Sequence, residues 1–187
     1  CGKCMIKRLP KNQEGSSNIH RLFPLAFRSS ENYIWKFKPM KINPENGSIT
    51  LPDSNMISAR TTLDDWIASF PKSSPNHLQA GITFFSLSFT EQSEQYTLTA
   101  QFEQQRLERL SIFFCPIGED NSWTAWSEER ELQRRKQFDR WLDKQLGDAP
   151  CSIKASSSGK CRRFTWGNAG AYYYNKDGST MIVISYR

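Results

Sequence analysis

The chain has 187 residues, a length that suits one domain with a single core. Hydrophobic residues make up 37% of it, including six Trp, six Tyr and twelve Phe, and this composition excludes a disordered chain. The nine Pro and ten Gly are too few for a fibrous or low-complexity protein. No apolar stretch approaches the roughly 18–20 residues that span a bilayer, which argues against an integral membrane protein.

Positive charge is concentrated at the two ends of the chain. Residues 1–45 carry a net charge of +6, residues 46–150 carry −5 and residues 151–187 carry +5. A nucleic-acid binder gathers such charge on one face, so a basic nucleic-acid-binding module is one possible function. The other interpretation is a solvated basic surface, or a surface matched to an acidic protein partner.

The five cysteines also allow two interpretations. Cys1 could be the lipidated residue of a protein anchored in the bacterial envelope, and Cys151 and Cys161 could then close a short disulfide loop. An odd number of cysteines at no framework spacing, with Cys115 in an apolar strand, is instead typical of a reducing compartment. We therefore expect a cytoplasmic protein, with a lipid anchor through Cys1 as the alternative.

The beginning of the chain differs in composition from the rest. Residues 1–30 are predicted to form a basic, partly irregular N-terminal arm, and residues 31–187 a single α+β domain. The alternating aromatic residues of Tyr33–Lys38 predict a half-buried first strand. Asn46 and Gly47 indicate a tight turn before a short strand over 48–51.

The first helix is indicated by a capping-box pattern, in which Thr62 precedes Asp64 and Asp65. The helix is predicted to end near Phe70. Its predicted buried face comprises Leu63, Trp66, Ile67 and Phe70. The prolines between 71 and 75 are predicted to end it in a loop that contains His77.

Three strands are predicted to follow as an antiparallel meander, over 82–89, 96–102 and 107–115. The middle strand alternates most clearly, with Tyr96, Leu98, Ala100 and Phe102 facing inward. After a Ser-rich loop over 150–160, further strands are predicted over 162–166, 170–174 and 180–186, the last two joined by a hairpin turn at 175–178.

A long helix is predicted between these two groups of strands, from about Trp123 to Leu146, with Gly147 ending it. Its C-terminal half carries an apolar stripe that includes Phe138 and Leu142, whereas its charged middle, over 127–136, is predicted to bury only Leu132. The fold class is therefore α+β: an antiparallel sheet of about seven strands with one short and one long helix packed on it.

The sequence contains no complete motif for catalysis, phosphate binding or metal binding. Ser158-Gly159-Lys160 lacks the preceding glycine and the following hydroxyl of a phosphate-binding loop. His20 and His77 stand outside the zinc and nucleophile motifs that histidine serves. Neighbouring carboxylates such as Asp64 and Asp65 diverge by about 100° on a helix and do not face one reaction centre. We expect no enzymatic activity, no cofactor and no bound metal.

Several segments resemble a family of small bacterial proteins, some of them encoded beside secreted-toxin genes. The residues that carry the resemblance are Phe23–Phe27, Asn32–Phe37, Thr61–Trp66, Trp123–Glu131, Phe138–Leu142 with Leu146 and Gly147, Trp166 with Gly167, and Tyr174–Arg187. The resemblance covers the chain from about His20. It implies an immunity-type protein that binds a cognate toxin protein and blocks it, and it assigns no functional residue.

An inhibitor of this kind needs a rigid scaffold and a complementary surface rather than reactive groups. Charged residues that interrupt the core pattern of the long helix, and tyrosines of a nearby strand, are therefore the candidates for partner contact. The predicted partner-binding residues are Glu128, Glu129, Glu131, Arg134, Arg135, Tyr172 and Tyr174. Ordinary sheet packing is the alternative interpretation of the tyrosines.

Overall fold

The computed structural model describes residues 39–79, 81–147, 149, 151–156 and 158–187. The predicted N-terminal arm over 1–30 and the predicted strand Tyr33–Lys38 lie outside these residues, so both stay predictions. So does the division of the chain at residue 30.

The described chain begins with a small antiparallel sheet of three two-residue strands, β1 (Lys41–Ile42), β2 (Ile49–Thr50) and β3 (Met56–Ile57), in the order β1-β2-β3. The predicted turn at Asn46 and Gly47 joins the first two, and Gly47 has a φ of 70°, which favours glycine. One isoleucine from each strand is buried, and these side chains join the main core.

The first helix, α1 (Leu63–Ser69), forms where the capping box predicts it. The Asp65 amide donates to Thr62 Oγ1 at 3.1 Å, and the Thr62 amide donates to Asp65 Oδ2 at 3.0 Å. Trp66 is fully buried against the rings of Phe70 and Phe102. The predicted burial of Ile67 is wrong: a seven-residue helix has one narrow buried side, and Ile67 points away from it to solvent.

The main sheet is antiparallel and has eight strands. They are β4 (Ser74–Gln79), β5 (Ile82–Glu91), β6 (Glu94–Glu103), β7 (Arg106–Pro116), β8 (Ser152–Ser156), β9 (Gly159–Phe164), β10 (Gly167–Tyr174) and β11 (Ser179–Tyr186). The order is β4-β5-β6-β7-β11-β10-β9-β8. Two four-stranded meanders therefore meet where their last strands pair, with Ile112 opposite Ile182.

The α+β class is confirmed, but the number of strands is not about seven: the residues that the structure describes contain eleven. Two predicted loops are strands. The segment with Pro75 and His77 is β4, and the Ser-rich segment contains β8 and the start of β9. Both β4 and β8 are edge strands. An edge position tolerates a proline that lacks an amide hydrogen, and β8, which is exposed along its whole length, needs no apolar alternation.

The long helix, α2 (Glu128–Leu146), lies between the meanders in the chain and packs on β10 and β11. Its predicted end at Gly147 is confirmed, and Phe138, Leu142 and Leu146 are buried as expected. Its predicted start is wrong. Residues Trp123–Ala125 form a separate 3-10 turn, and α2 begins after Ser127, whose hydroxyl accepts a hydrogen bond from the Arg130 amide.

Candidate functional site

The charged middle of α2 is not a uniform exposed face. Glu128 and Glu129 are exposed and Arg135 is half-buried, but the side chains of Glu131 and Arg134 are only 4% and 7% exposed. The expected exposure of these two residues is therefore wrong, and their contact with a partner stays a prediction. Leu132, predicted as the one buried residue of this segment, is only half-buried.

Arg134 holds a buried network of charges at the start of α2. Its guanidinium pairs with Glu131 one helical turn away and with Glu119 at 2.6 Å, and it donates to Asn121 Oδ1 at 3.0 Å. The guanidinium also lies 5.0 Å from the centre of the Phe113 ring. Because a buried charge is costly unless it is paired and hydrogen-bonded, these contacts fix the segment before α2 in one position.

That preceding segment is held at further points. Arg130 Nη1 donates to the Asp120 carbonyl oxygen at 2.8 Å, and the Ser122 amide donates to Asp120 Oδ1 at 2.8 Å. The hydrogen bonds from Ser122 keep the pKa of Asp120 below its usual range. The result is a short connection that is tied to α2 by main-chain and side-chain bonds.

This connection displays two tryptophans. Trp123 is 75% exposed and Trp126 is 38% exposed, and their ring centres are 6.2 Å apart. Trp126 is held in place because its Nε1 donates to the Gly178 carbonyl oxygen at 2.7 Å, in the turn between β10 and β11. A tryptophan as exposed as Trp123 forfeits the burial of a large apolar ring, and paired exposed rings of this kind are typical of interaction surfaces.

We call the cavity beside them the tryptophan groove. It is open to solvent, has a volume of about 360 Å³, and runs between the tryptophans, the first turns of α2 and the β10–β11 turn. Its lining includes Trp123, Trp126, Arg130, Asp177 and Met181, with the Arg134 network as its floor.

The tryptophan groove was not predicted from the sequence, because both tryptophans were expected inside the long helix. The signal that could have found it is Ser127, a good N-cap residue that separates the two rings from the helix proper.

A second cavity adjoins the groove on the outer face of the sheet. It has a volume of about 210 Å³, and its lining includes Phe84, Arg109 and Tyr174. Asp177 and Met181 line both cavities, so the two depressions flank the β10–β11 turn. The structure thus brings the predicted residue Tyr174 beside the groove.

The other predicted tyrosine lies less openly. Tyr172 is half-buried and its ring centre lies 6.4 Å from that of Tyr174. Burial, together with its hydrogen bond to Cys161, raises the pKa of Tyr172. This supports the sheet-packing interpretation for Tyr172, whereas Tyr174 is available to a partner.

A second ion-pair network neutralises part of the basic C-terminal region. The buried Arg162 side chain binds Asp139 at 3.2 Å and Asp143 at 2.7 Å, and Lys160 approaches Asp143 at 3.3 Å. Burial raises the pKa of Asp139 although Arg162 opposes it. Burial also acts to raise the pKa of Asp143, but the hydrogen bonds and positive charges of Arg162 and Lys160 outweigh it, so the pKa of Asp143 is lowered. The network fastens α2 to β9.

Within the described ranges no three His, Cys, Asp or Glu side chains lie close enough together to hold a metal ion. In the part of the chain covered by the structure, no helix is long and apolar enough to cross a membrane. Cys115, Cys151 and Cys161 are free thiols, so the possible Cys151–Cys161 disulfide is not formed here.

Comparison with known proteins finds partial similarity to a chain of a solved structure. No protein-family model matches the chain, and no curated protein matches it. A chain of the solved structure described as "Rhs1-CT in complex with cognate immunity protein RhsI1" is similar over 79% of this chain and 87% of that chain, with 16% sequence identity and a TM-score of 0.48. A similarity this low does not establish a shared family or function.

Proposed function

We propose that the protein is an immunity-type binding protein that neutralises a cognate bacterial toxin by forming a stoichiometric complex with it. The observation that carries the proposal is the pair of exposed tryptophans held rigidly at the mouth of the groove. The family resemblance of Trp123–Glu131 and of the C-terminal strands indicates the same class of function. Three free thiols among the described residues support a cytoplasmic site of action.

Trp123 offers a large apolar surface to a partner. Covering most of a tryptophan that is 75% exposed removes on the order of 150 Å² of largely apolar surface from water, worth roughly 3–4 kcal/mol before ordering costs. Tryptophan, tyrosine and arginine dominate interface hot spots, and all three residue types meet around this groove.

The Arg134 network contributes by holding the surface in shape before a partner arrives. Glu119 and Asn121 precede the tryptophans and are both bound to the Arg134 guanidinium. A preorganised surface loses less conformational entropy on binding. In this proposal Glu131 and Arg134 are positioning residues, whereas Trp123, Trp126 and Tyr174 make the contacts.

The two alternatives from the sequence receive less support. Nucleic-acid binding needs unpaired cations on one face, but Lys160 and Arg162 of the basic C-terminal region are engaged with carboxylates of α2. The lipid-anchor alternative depends on Cys1, which lies outside the described residues.

The experiment that tests the proposal is co-expression with the product of the adjacent gene as the candidate toxin. We expect a 1:1 complex by size-exclusion chromatography and loss of toxin activity in its presence. Trp123→Ala should weaken the complex by at least about 30-fold, equivalent to about 2 kcal/mol at a hot spot. Met56→Ala is the matched control, because Met56 is also exposed but lies in the small sheet.

A failure to form any complex at micromolar concentrations would contradict the proposed function. A complex that Trp123→Ala and Met56→Ala affect equally would contradict the assignment of the groove.

A further inference from the structure

The charge around the tryptophan groove differs in sign from that of the chain. The two segments that build it, residues 119–134 and 174–181, contain six acidic and three basic residues, although the chain as a whole carries +6. The acidic residues are Glu119, Asp120, Glu128, Glu129, Glu131 and Asp177. The rim is thus locally negative on a molecule that otherwise repels cations.

Two of the three cations beside these acids are held by neighbouring groups, and Lys176 is exposed. Arg134 is paired with both Glu131 and Glu119, and one nitrogen of Arg130 donates to the carbonyl oxygen of Asp120. The carboxylates of Glu128 and Asp177 are on exposed residues. Exposed negative charge therefore exceeds exposed positive charge at the rim.

The pKa of Tyr173 responds to this negative charge. Desolvation raises the pKa of Tyr173, and the charges of Glu128, Glu131 and Asp177 raise it further, so the three carboxylates act together on one point.

The tryptophans add a second feature that attracts cations. The face of an indole ring is the best aromatic site for an ammonium or guanidinium group, and the aliphatic stems of lysine and arginine pack well on apolar rings. Trp123 presents most of its ring to solvent beside the acidic rim. A cationic side chain would find an aromatic face and carboxylates in the same depression.

We propose that the tryptophan groove receives an arginine- or lysine-bearing segment of the partner protein, with the cation against the Trp123 ring and the acidic rim supplying the complementary charge. The inference rests on the proposed binding function and specifies the chemistry of its partner. An anionic segment received by Arg130, whose buried Nε has no hydrogen-bond partner in the structure, would predict the opposite preference.

The test uses a fluorescein-labelled octa-arginine peptide and an octa-glutamate peptide of the same length, titrated against the full chain at low salt. We expect the arginine peptide to bind in spite of the +6 charge of the protein, and to weaken as salt rises. Trp123→Ala should weaken its binding at least fivefold, and so should the double variant Glu128→Gln with Glu129→Gln.

Matched controls separate the groove from general charge attraction. Met56→Ala removes an exposed apolar side chain of the small sheet, and Glu45→Gln with Glu103→Gln removes two exposed carboxylates outside the two segments that build the groove. These controls should leave the affinity within twofold. Tighter binding of octa-glutamate, no binding of octa-arginine, or equal effects of groove and control variants would overturn the inference.

The peptide titration and the toxin co-expression test different claims, and each can fail separately. If the toxin complex forms and depends on Trp123 while the arginine peptide shows no groove-dependent binding, the proposed function stands and the cationic segment is wrong. If the arginine peptide binds at the groove but no toxin complex forms, the proposed function fails and the cation-receiving surface remains.

Discussion

Replacing Arg134 by methionine should destabilise the protein strongly, because methionine keeps much of the aliphatic bulk and removes the charge. The carboxylate of Glu131, on a side chain 4% exposed, would then be left buried without its cation. Removing one partner of a buried ion pair costs about 3–5 kcal/mol. With a slope of about 2 kcal/mol per molar in urea, the midpoint of unfolding should fall by roughly 2 M.

The assay is equilibrium unfolding in urea followed by tryptophan fluorescence. Lys136→Met is the matched control, because it removes a cation from an exposed position of the same helix and should change stability by no more than about 0.5 kcal/mol. Adding Glu131→Gln to Arg134→Met should restore part of the loss, since no buried charge then remains unpaired.

A loss below about 1 kcal/mol for Arg134→Met, or one equal to that of Lys136→Met, would refute the structural role assigned to the network. It would restore the sequence-based interpretation that Arg134 is a solvated residue free to meet a partner.

Three further predictions concern stability. Thr62→Ala should cost about 1 kcal/mol at pH 7 through loss of the capping box. The hydrogen bonds of Thr62 hold the pKa of Asp65 below its ordinary value of 3.8. The stabilisation from the ionised Asp65 carboxylate is therefore complete above this pH and is lost as the pH falls below it. Urea titrations at pH 7 and pH 2.5 should therefore show a smaller effect at pH 2.5. Gly47→Ala should lower the free energy of unfolding by about 3 kcal/mol or more, because φ is positive and the new Cβ would lie 2.5 Å from an atom of the Trp166 indole. Gly81→Ala is the matched control: φ is also positive, but no atom lies within 4 Å of the new Cβ, so the loss should be only about 1 kcal/mol. Arg162→Met should lower the free energy of unfolding by about 2–3 kcal/mol. This is less than the loss expected from breaking a fully buried ion pair, since the two carboxylate partners of Arg162 retain some water. Thermal unfolding measures the effects of the Gly47 and Arg162 variants.

Local signals predicted much of the fold. The capping box at Thr62 and the alternation of Tyr96–Phe102 each depend on residues close in sequence, and both appear in the structure as expected. The edge strands β4 and β8 could not be read in the same way. Their pairing comes from neighbouring strands, and in β8 no apolar side chain is buried to mark the strand.

The candidate site was predicted less well, and α2 shows why. Charge at Glu131 and Arg134 suggested exposure, but both residues continue the spacing of the buried Phe138 and Leu142 toward the N-terminus of the helix. Periodicity was the better guide than polarity here. Glu119, the partner of Arg134 outside the helix, could not be predicted from the sequence. The two residues lie 15 positions apart, and the segment with the two tryptophans has to fold back toward α2 to bring them together.

The most direct test of the central claim is a hydrogen–deuterium exchange footprint of the full chain bound to the proposed cognate toxin. We predict that protection on binding is concentrated in residues 119–127 and in the β10–β11 turn over 175–178, the two segments that form the tryptophan groove. Protection elsewhere, for example along β8 or the small three-stranded sheet, with these two segments unchanged, would contradict the account.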